Sequence, residues 1–415
     1  MDKYDIVVGI PSYNEAETIG HVAEKASEGL VKYFPDARSI IVNCDNNSPD
    51  GTKRAFLSTV TKVEKKYIST EQGVKGKGNN LYNLFGFFLE SEARIGIVID
   101  ADIRSIVPKW IRYMAGPVKD GCDLVTPVYS RHQFDGTITN HLCHPLVHAL
   151  TGMDIRQPIG GDFAFSSSLC EHWMKQEWNE SVRQYGVDIF MTLHAIFGGF
   201  KVCQAGLGSK VHNASAPKLG IMFEQVVHTL FDILAKNRFH WLAECSEEET
   251  PRQWATAKTR DVPRYGMNKM PEPQRVEIDM IKLKKDCRAE WDENREHVEK
   301  HLSHYAYTIL ERMFEMDFHH LDIMLWSQIV YTLLCCFEEA DEGERGNIVN
   351  ALKPLYFSRS ITFDYQTWRY SVEHAEKEVN DQARAFLSQK PYLLGLNSLK
   401  QAKDGGQRGG PAPEK

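Results

Sequence analysis

Short β-branched runs alternate with amphipathic stretches through the first hundred residues. Ile6-Val7-Val8-Gly9-Ile10 is almost wholly apolar, as a strand buried on both faces requires, and it breaks at Pro11-Ser12-Tyr13-Asn14-Glu15. Ala16 to Tyr33 carries helical periodicity. A second apolar run, Ser39-Ile40-Ile41-Val42, gives way to Cys44-Asp45-Asn46-Asn47-Ser48-Pro49-Asp50-Gly51-Thr52, whose Asn, Asp, Pro and Gly predict a turn that opens another helix. Lys66-Tyr67-Ile68 reads as a short strand, Gly73 to Asn79 as a glycine-rich turn, and Leu81 to Leu89 as a helix. Ile97-Val98-Ile99 then stops on Asp100-Ala101-Asp102. This alternation predicts right-handed crossovers and a mainly parallel sheet, whose strand-following loops gather at one edge.

Beyond about residue 218 the pattern changes to long helical stretches. Leu219 to Cys245 spaces Phe223, Val226, Val227, Leu230, Leu234 and Phe239 along one helix. Arg252 to Arg275 is charged and contains prolines, which predicts a traverse across the surface. Val276 to Met316, Ile323 to Ala340 and Trp368 to Leu387 are helix-like, and Lys403 to Lys415 reads as a flexible tail. The expected division is 1–220 for an α/β unit, 221–402 for a helical region and 403–415 for the tail. His297, His301 and His304 have i, i+4, i+7 spacing, but without an H-E-x-x-H signature they read as a packing or solvated face.

Composition narrows the class. With 42% hydrophobic and 25% charged residues in 415, the chain has the make-up of a globular protein with a large core. A formal charge of −7 leaves no basic excess to neutralise nucleic-acid phosphates. The nine cysteines are scattered and odd in number, with no C-x-x-C pair, so reduced thiols are expected rather than a disulfide framework. No stretch approaches the roughly 20 apolar residues of a membrane helix, and no leader pattern precedes the first strand. A cytoplasmic protein is the expectation.

The chemistry concentrates at strand ends. Residues i and i+2 of an extended segment project to one side, so Asp100 and Asp102 can share a hard divalent cation; the bland alternative is a solvated polar turn. Lys77, between Gly76 and Gly78, can bring a point charge to a phosphate that the backbone approaches closely, or can be an ordinary loop lysine. Neither a P-loop nor a G-x-G-x-x-G is present. Asp45 can accept from a ribose hydroxyl or cap a turn, and Asp50 can cap the following helix.

Taken in order, Ile10 to Glu15, Asp45 with Ser48 to Thr52, Gly76-Lys77-Gly78 and Asp100-Ala101-Asp102 resemble the nucleotide-sugar half of GT-A glycosyltransferases. Further on, Arg131 with Asp135-Gly136-Thr137-Ile138-Thr139, Gln157 to Asp162, Tyr185-Gly186-Val187-Asp188 and Lys210-Val211-His212 are similar to the motifs of one retaining group. That group comprises mannosylglycerate synthase and the glucosylglycerate and glucosyl-3-phosphoglycerate synthases.

The resemblance implies a Rossmann-like nucleotide-sugar unit followed by a helical region. It implies that Asp102 and His212 ligate Mg²⁺ or Mn²⁺, possibilities to which the mixed oxygen and imidazole donors add Co²⁺, with Asp100 contacting the metal directly, through water or through the ribose. Pro11, Tyr13, Asn14, Glu15, Asp45, Gly76 and Ala101 would line the nucleotide, and Lys77 would reach the diphosphate. Asp188 would position sugar or acceptor in a front-face transfer; a double displacement would instead need Asp162 or Asp188 as nucleophile. Arg131, Thr137, Thr139, Gly160, Gly161 and Asp162 would hold a small anionic acceptor. D-glycerate is favoured over 3-phosphoglycerate because no additional basic cluster is apparent. The helical region would close the acceptor side and support a homo-oligomer, a dimer being the simplest. Competing readings are a transferase with a saccharide acceptor, a sugar nucleotidyltransferase, and a non-catalytic interaction protein.

Overall fold

The computed structural model describes residues 2–213, 219–243, 260, 262–396 and 398. Its contacts divide the chain into two compact units, the first made of 1–147, 153–233 and 260–277, the second of 148–152, 234–259 and 278–415. The expected boundary at 220 thus falls inside helix Leu219–Lys236, and segment 260–277 returns to the first unit.

The first unit is an α/β fold around eight strands, β1 Ile6–Ser12, β2 Ser39–Asp45, β3 Glu64–Ser69, β4 Ile95–Val98, β5 Leu124–Ser130, β6 Phe163–Ser166, β7 Val202–Ser209 and β8 Arg264–Gly266. They form one sheet in the order β3-β2-β1-β4-β6-β5-β7-β8, and only β6 runs antiparallel to its neighbours. The mainly parallel sheet expected from strand-helix alternation is therefore present. β8 is a correction, because the charged traverse anticipated over Arg252 to Arg275 includes a three-residue edge strand beside β7.

Alternate residues of β1 serve the two faces. Ile6, Val8 and Ile10 join a core with α1 (Ile19–Tyr33) and α4 (Lys109–Lys119), including Val22, Leu30, Trp110, Ile111 and Met114. α2 (Thr52–Ser58) packs beside α1 on that face. Gly9 points the other way, towards α3 (Lys77–Glu90), where a Cβ would run into Leu84. That face continues through Phe85, Phe165 and Trp173, whose rings lie 5.1 to 5.3 Å apart. Each large apolar side chain buried this way contributes about 1.5–3 kcal/mol.

Cys122 and Cys203 are joined in a disulfide across a sequence separation of 81, which corrects the expectation of thiols alone. Cys122 precedes β5 and Cys203 lies in β7, so the pairing follows from two strands that are neighbours only in space. The six other described cysteines free of a disulfide include five that are buried.

The second unit is helical: Met280–His301, His304–Glu315, Ile323–Glu339, Glu342–Thr367 and Val372–Ser388 are its main elements. The run anticipated from Val276 to Met316 is interrupted at Leu302–Ser303, where Ser303 caps the next helix. That break takes His304 out of the proposed histidine face, and His301 Nε2 instead lies 2.7 Å from Glu344. The long helix Glu342–Thr367 was not anticipated. Cys245, part of another expected helix, lies outside the described residues, as does nearly all of the tail. A surface cavity of about 500 Å³ on this unit is lined by Met280, Tyr365, Gln366, Trp368, Arg369 and Tyr370. None of the predicted site residues reaches it. No described helix is long and apolar enough to cross a membrane.

Candidate active site at the sheet edge

The parallel strands deliver their C-terminal ends to one edge. There β1 runs into Tyr13, β2 ends on Asp45, β4 leads to Asp100, β5 to Arg131 and β7 to Lys210 and His212. Because β6 is antiparallel, it begins at this edge, so Gly160-Gly161-Asp162 arrives there too. The strand order reverses at β1–β4, the position at which open α/β sheets form a ligand crevice.

Five charged side chains alternate in sign across this edge, Asp162, Lys210, Asp100, Lys77 and Asp188, of which Lys77 and Asp100 are half-buried and the others buried. Lys77 Nζ is 2.8 Å from Asp100 Oδ1 and 3.1 Å from Asp188 Oδ1. Lys210 Nζ is 3.1 Å from Asp100 Oδ2 and 3.3 Å from Asp162 Oδ2, and donates to Gly160 O at 2.8 Å. Asp162 also accepts from the Asp100 amide at 2.8 Å and from the Tyr129 hydroxyl. Burial alone would lower the Lys77 ammonium, but Asp100 and Asp188 outweigh it and hold it well above its ordinary value. For Asp100 burial acts upward, and Lys77 and Lys210 overturn it to hold the carboxyl well below the usual range. Burial prevails at Asp162 and Asp188, pushing both up against the pull of Lys210 and Lys77 respectively.

Lys77 occupies the first position of α3, where the helix dipole disfavours a cation. Its two carboxylate partners offset that position. Gly161, at φ +92°, lets the chain pass Asp100, since a Cβ there would strike the Asp100 carboxylate.

Asp102 faces different partners. β4 ends at Val98, so extended alternation does not carry through residues 100–102, and the expected same-side projection of the two carboxylates is corrected accordingly. Asp102 Oδ2 lies 3.9 Å from His212 Nδ1 and accepts from the Asn213 amide at 3.1 Å. On the other side of the ring, His212 Nε2 is 3.9 Å from Asp135 Oδ2. A nitrogen and an oxygen 3.9 Å apart can bind one cation at roughly 2.0–2.2 Å from each. The donor set therefore fits a divalent metal at Asp102 and His212. Asp100 is occupied by two lysines instead. Asp135, which burial would raise, is held well below its ordinary value by Arg131 and His212. Arg131 Nη1 is 3.6 Å from Asp135, and its buried Nε has no hydrogen-bond partner among the described residues.

Several anticipated residues play quieter parts. Asp45 is fully buried and accepts from Ser12 Oγ, the Ser48 amide and hydroxyl, and Tyr67 OH, so its acceptor positions are taken within the protein and the turn-capping alternative prevails. Asp50 accepts from the Ala16 and Thr52 amides, likewise a capping role. Pro11 and Ala101 are buried, whereas Tyr13 receives a hydrogen bond from Lys75 at 2.7 Å. Asn14 adopts φ +62° and donates its amide to Ser48. Glu15 accepts from Asn213 Nδ2 at 3.2 Å, joining the first loop to the segment after His212. Thr137 and Thr139 do not share a strand face: the segment is helical, with a π-helix over Thr139–Cys143, and helical residues two apart diverge. Gly160 packs on Pro127, where a Cβ would collide. Gly76 begins α3 rather than belonging to a free loop. Sequence reasoning assigned no role to Lys210 or Tyr129; an apolar strand followed by a lone basic residue was the signal available.

Residues 50–218 match the family model described as mannosylglycerate synthase, GT domain, a span that includes Lys77, Asp100, Asp102, Asp188 and His212. Among curated proteins none matches the chain. Solved structures of glucosyl-3-phosphoglycerate synthase from Mycobacterium tuberculosis are similar over part of the chain. The complex with phosphoglyceric acid is 25% identical with TM-score 0.45, covering 55% of this chain and 80% of that one. The complex with Mn²⁺, uridine diphosphate and glucosyl-3-phosphoglycerate is 24% identical with TM-score 0.45, covering 55% and 80%.

Proposed function

We propose that the chain is a retaining GT-A hexosyltransferase that moves glucose or mannose from a GDP- or UDP-hexose to D-glycerate. The product is a glucosylglycerate or mannosylglycerate compatible solute. The observation that carries this reading is the coincidence of the mannosylglycerate synthase match with the sheet-edge constellation of Lys77, Asp102, Asp188 and His212.

Asp102 and His212 would hold Mg²⁺ or Mn²⁺, which would neutralise charge developing on the departing diphosphate. Lys77, at the start of α3, offers the same diphosphate a cation. Asp162 is engaged by Tyr129, Lys210 and the Asp100 amide, which argues against it as a nucleophile. Asp188 is paired to Lys77, and that supports a positioning role within a front-face transfer. The unpartnered Nε of Arg131 suits a small carboxylate acceptor.

The competing acceptor is 3-phosphoglycerate. The Arg275 charge acts on the His132 imidazole, which burial already lowers, and Arg275 is the basic residue that a second anionic group on the acceptor would call on. The test is nucleoside diphosphate release across GDP- and UDP-glucose and -mannose, each with D-glycerate or 3-phosphoglycerate, in Mg²⁺, Mn²⁺ or EDTA. Metal-dependent turnover confined to glycerate supports the reading; turnover with 3-phosphoglycerate alone replaces the acceptor; silence in every combination rejects it.

A further inference from the structure

α3 begins without a side-chain cap, because its first turn is completed from a distant part of the chain. The Gly78 amide, one of the donors a helix start leaves free, donates to Gln184 O at 3.0 Å. Gln184 Nε2 returns to Lys75 O at 3.1 Å, and Arg183 Nη1 donates to Asn79 Oδ1 at 3.1 Å. No side chain separates the two backbones. A Cβ on Gly76 would strike Arg183 O, and one on Gly78 would strike Val182 O. One of these segments carries Lys77; the other continues from Gln184 to Asp188, whose carboxylate lies 3.1 Å from Lys77 Nζ.

We infer that Val182-Arg183-Gln184 is a positioning clasp that sets Lys77 against Asp188. The group facing the donor diphosphate and the group facing the transferred sugar are thereby held as one piece. This inference rests on the hexosyltransferase reading and deepens it. Arg183 and Gln184 are positioning residues: they act on Lys77 and Asp188 through the backbone. A displacement of about 1 Å between such groups can cost on the order of 100-fold in rate while leaving ground-state binding nearly intact.

α3 contains its own control. Gly86 lies on the same helix, and a Cβ there would meet nothing within 4 Å. The experiment compares wild type, Gly78→Ala, Gln184→Ala and Gly86→Ala by kcat and donor KM, by calorimetric binding of the nucleoside diphosphate, and by thermal midpoint. Gly78→Ala and Gln184→Ala should lower kcat, the former by about tenfold or more, with diphosphate affinity within about threefold of wild type. Gly86→Ala should keep wild-type kcat. Wild-type kcat in both clasp variants would overturn the inference, as would an equal loss in Gly86→Ala or losses that track thermal midpoint. If Gly78→Ala does not fold, Gln184→Ala decides, since it removes one side-chain bond and leaves the backbone cap. A wild-type protein with no turnover on any donor rejects the hexosyltransferase reading itself, an outcome distinct from active clasp variants.

Discussion

The two units bury charge in opposite ways. At the sheet edge both lysines, Lys77 half-buried and Lys210 buried, touch two carboxylates each, so Lys77 and Asp100 are held firmly in their charged forms. In the helical unit Arg359, 1% exposed, donates to neutral acceptors, Gln382 Oε1 at 2.8 Å and Leu321 O at 2.7 Å. Asp364, equally buried, has a carboxylate oxygen without a hydrogen-bond partner among the described residues. Burial pulls Arg359 down to about 10 and pushes Asp364 up to about 7, with only Arg359 opposing the latter. At the sheet edge opposite charges offset part of the cost of burial, which still pushes Asp162 and Asp188 up, whereas in the helical interior burial moves both Arg359 and Asp364 towards their neutral forms.

The comparison breaks first, and by the largest margin, at the metal pair. Asp102→Ala and His212→Ala should each lower turnover by roughly 10³-fold, and EDTA should do the same to wild type, as read by nucleoside diphosphate release. Next in size is Lys77→Met, which leaves Asp188 buried without its cation. Its stability should fall by about 3–5 kcal/mol in urea unfolding, and adding Asp188→Asn should recover part of that loss, because the uncompensated charge goes with it.

Asp364 supplies the contrasting pH test. Its carboxyl is raised in the folded state, so the stability it confers is complete below the unfolded value of about 4 and is lost as pH rises through about 7. The loss amounts to at most about 4 kcal/mol by that shift. Asp364→Asn should remove this dependence, raising resistance to urea at pH 8 more than at pH 5; equal effects at both would refute it. The smallest expected change is at Arg131, where Arg131→Lys should raise KM for D-glycerate about tenfold with kcat little altered, since lysine cannot reproduce the planar fork.

Much of the first unit was legible because its strands announce themselves locally. Ile6 to Ile10 and Ser39 to Val42 are apolar runs that end in turn residues, and both strands formed. β8 was hidden because three residues beside a neighbouring strand leave no periodicity. Helix Glu342–Thr367 escaped for another reason: it is buried nearly all round, carries Ser358, Arg359, Thr362 and Asp364 inward, and holds Pro354, so no amphipathic stripe appears. At the site, residue types and their gathering at one edge were legible, but the engagement of Asp100 was not. Its second lysine lies 110 residues away, and only the strand order brings Lys210 to it. The occupied lone pairs of Asp45 were unreadable for the same reason, since Tyr67 reaches it from another strand.

The Cys122–Cys203 bond divides these residues in a further sense. It ties residues 122–203 into a covalent ring that contains Arg131, Asp135, Gly161, Asp162 and Asp188, while Lys77, Asp102 and His212 stay outside. Closing a loop of that length restricts the unfolded ensemble by about 4–5 kcal/mol in the chain-entropy view. A protease cut within the ring would leave one covalent molecule until a reductant is added, so the residues before and after the cut stay tethered.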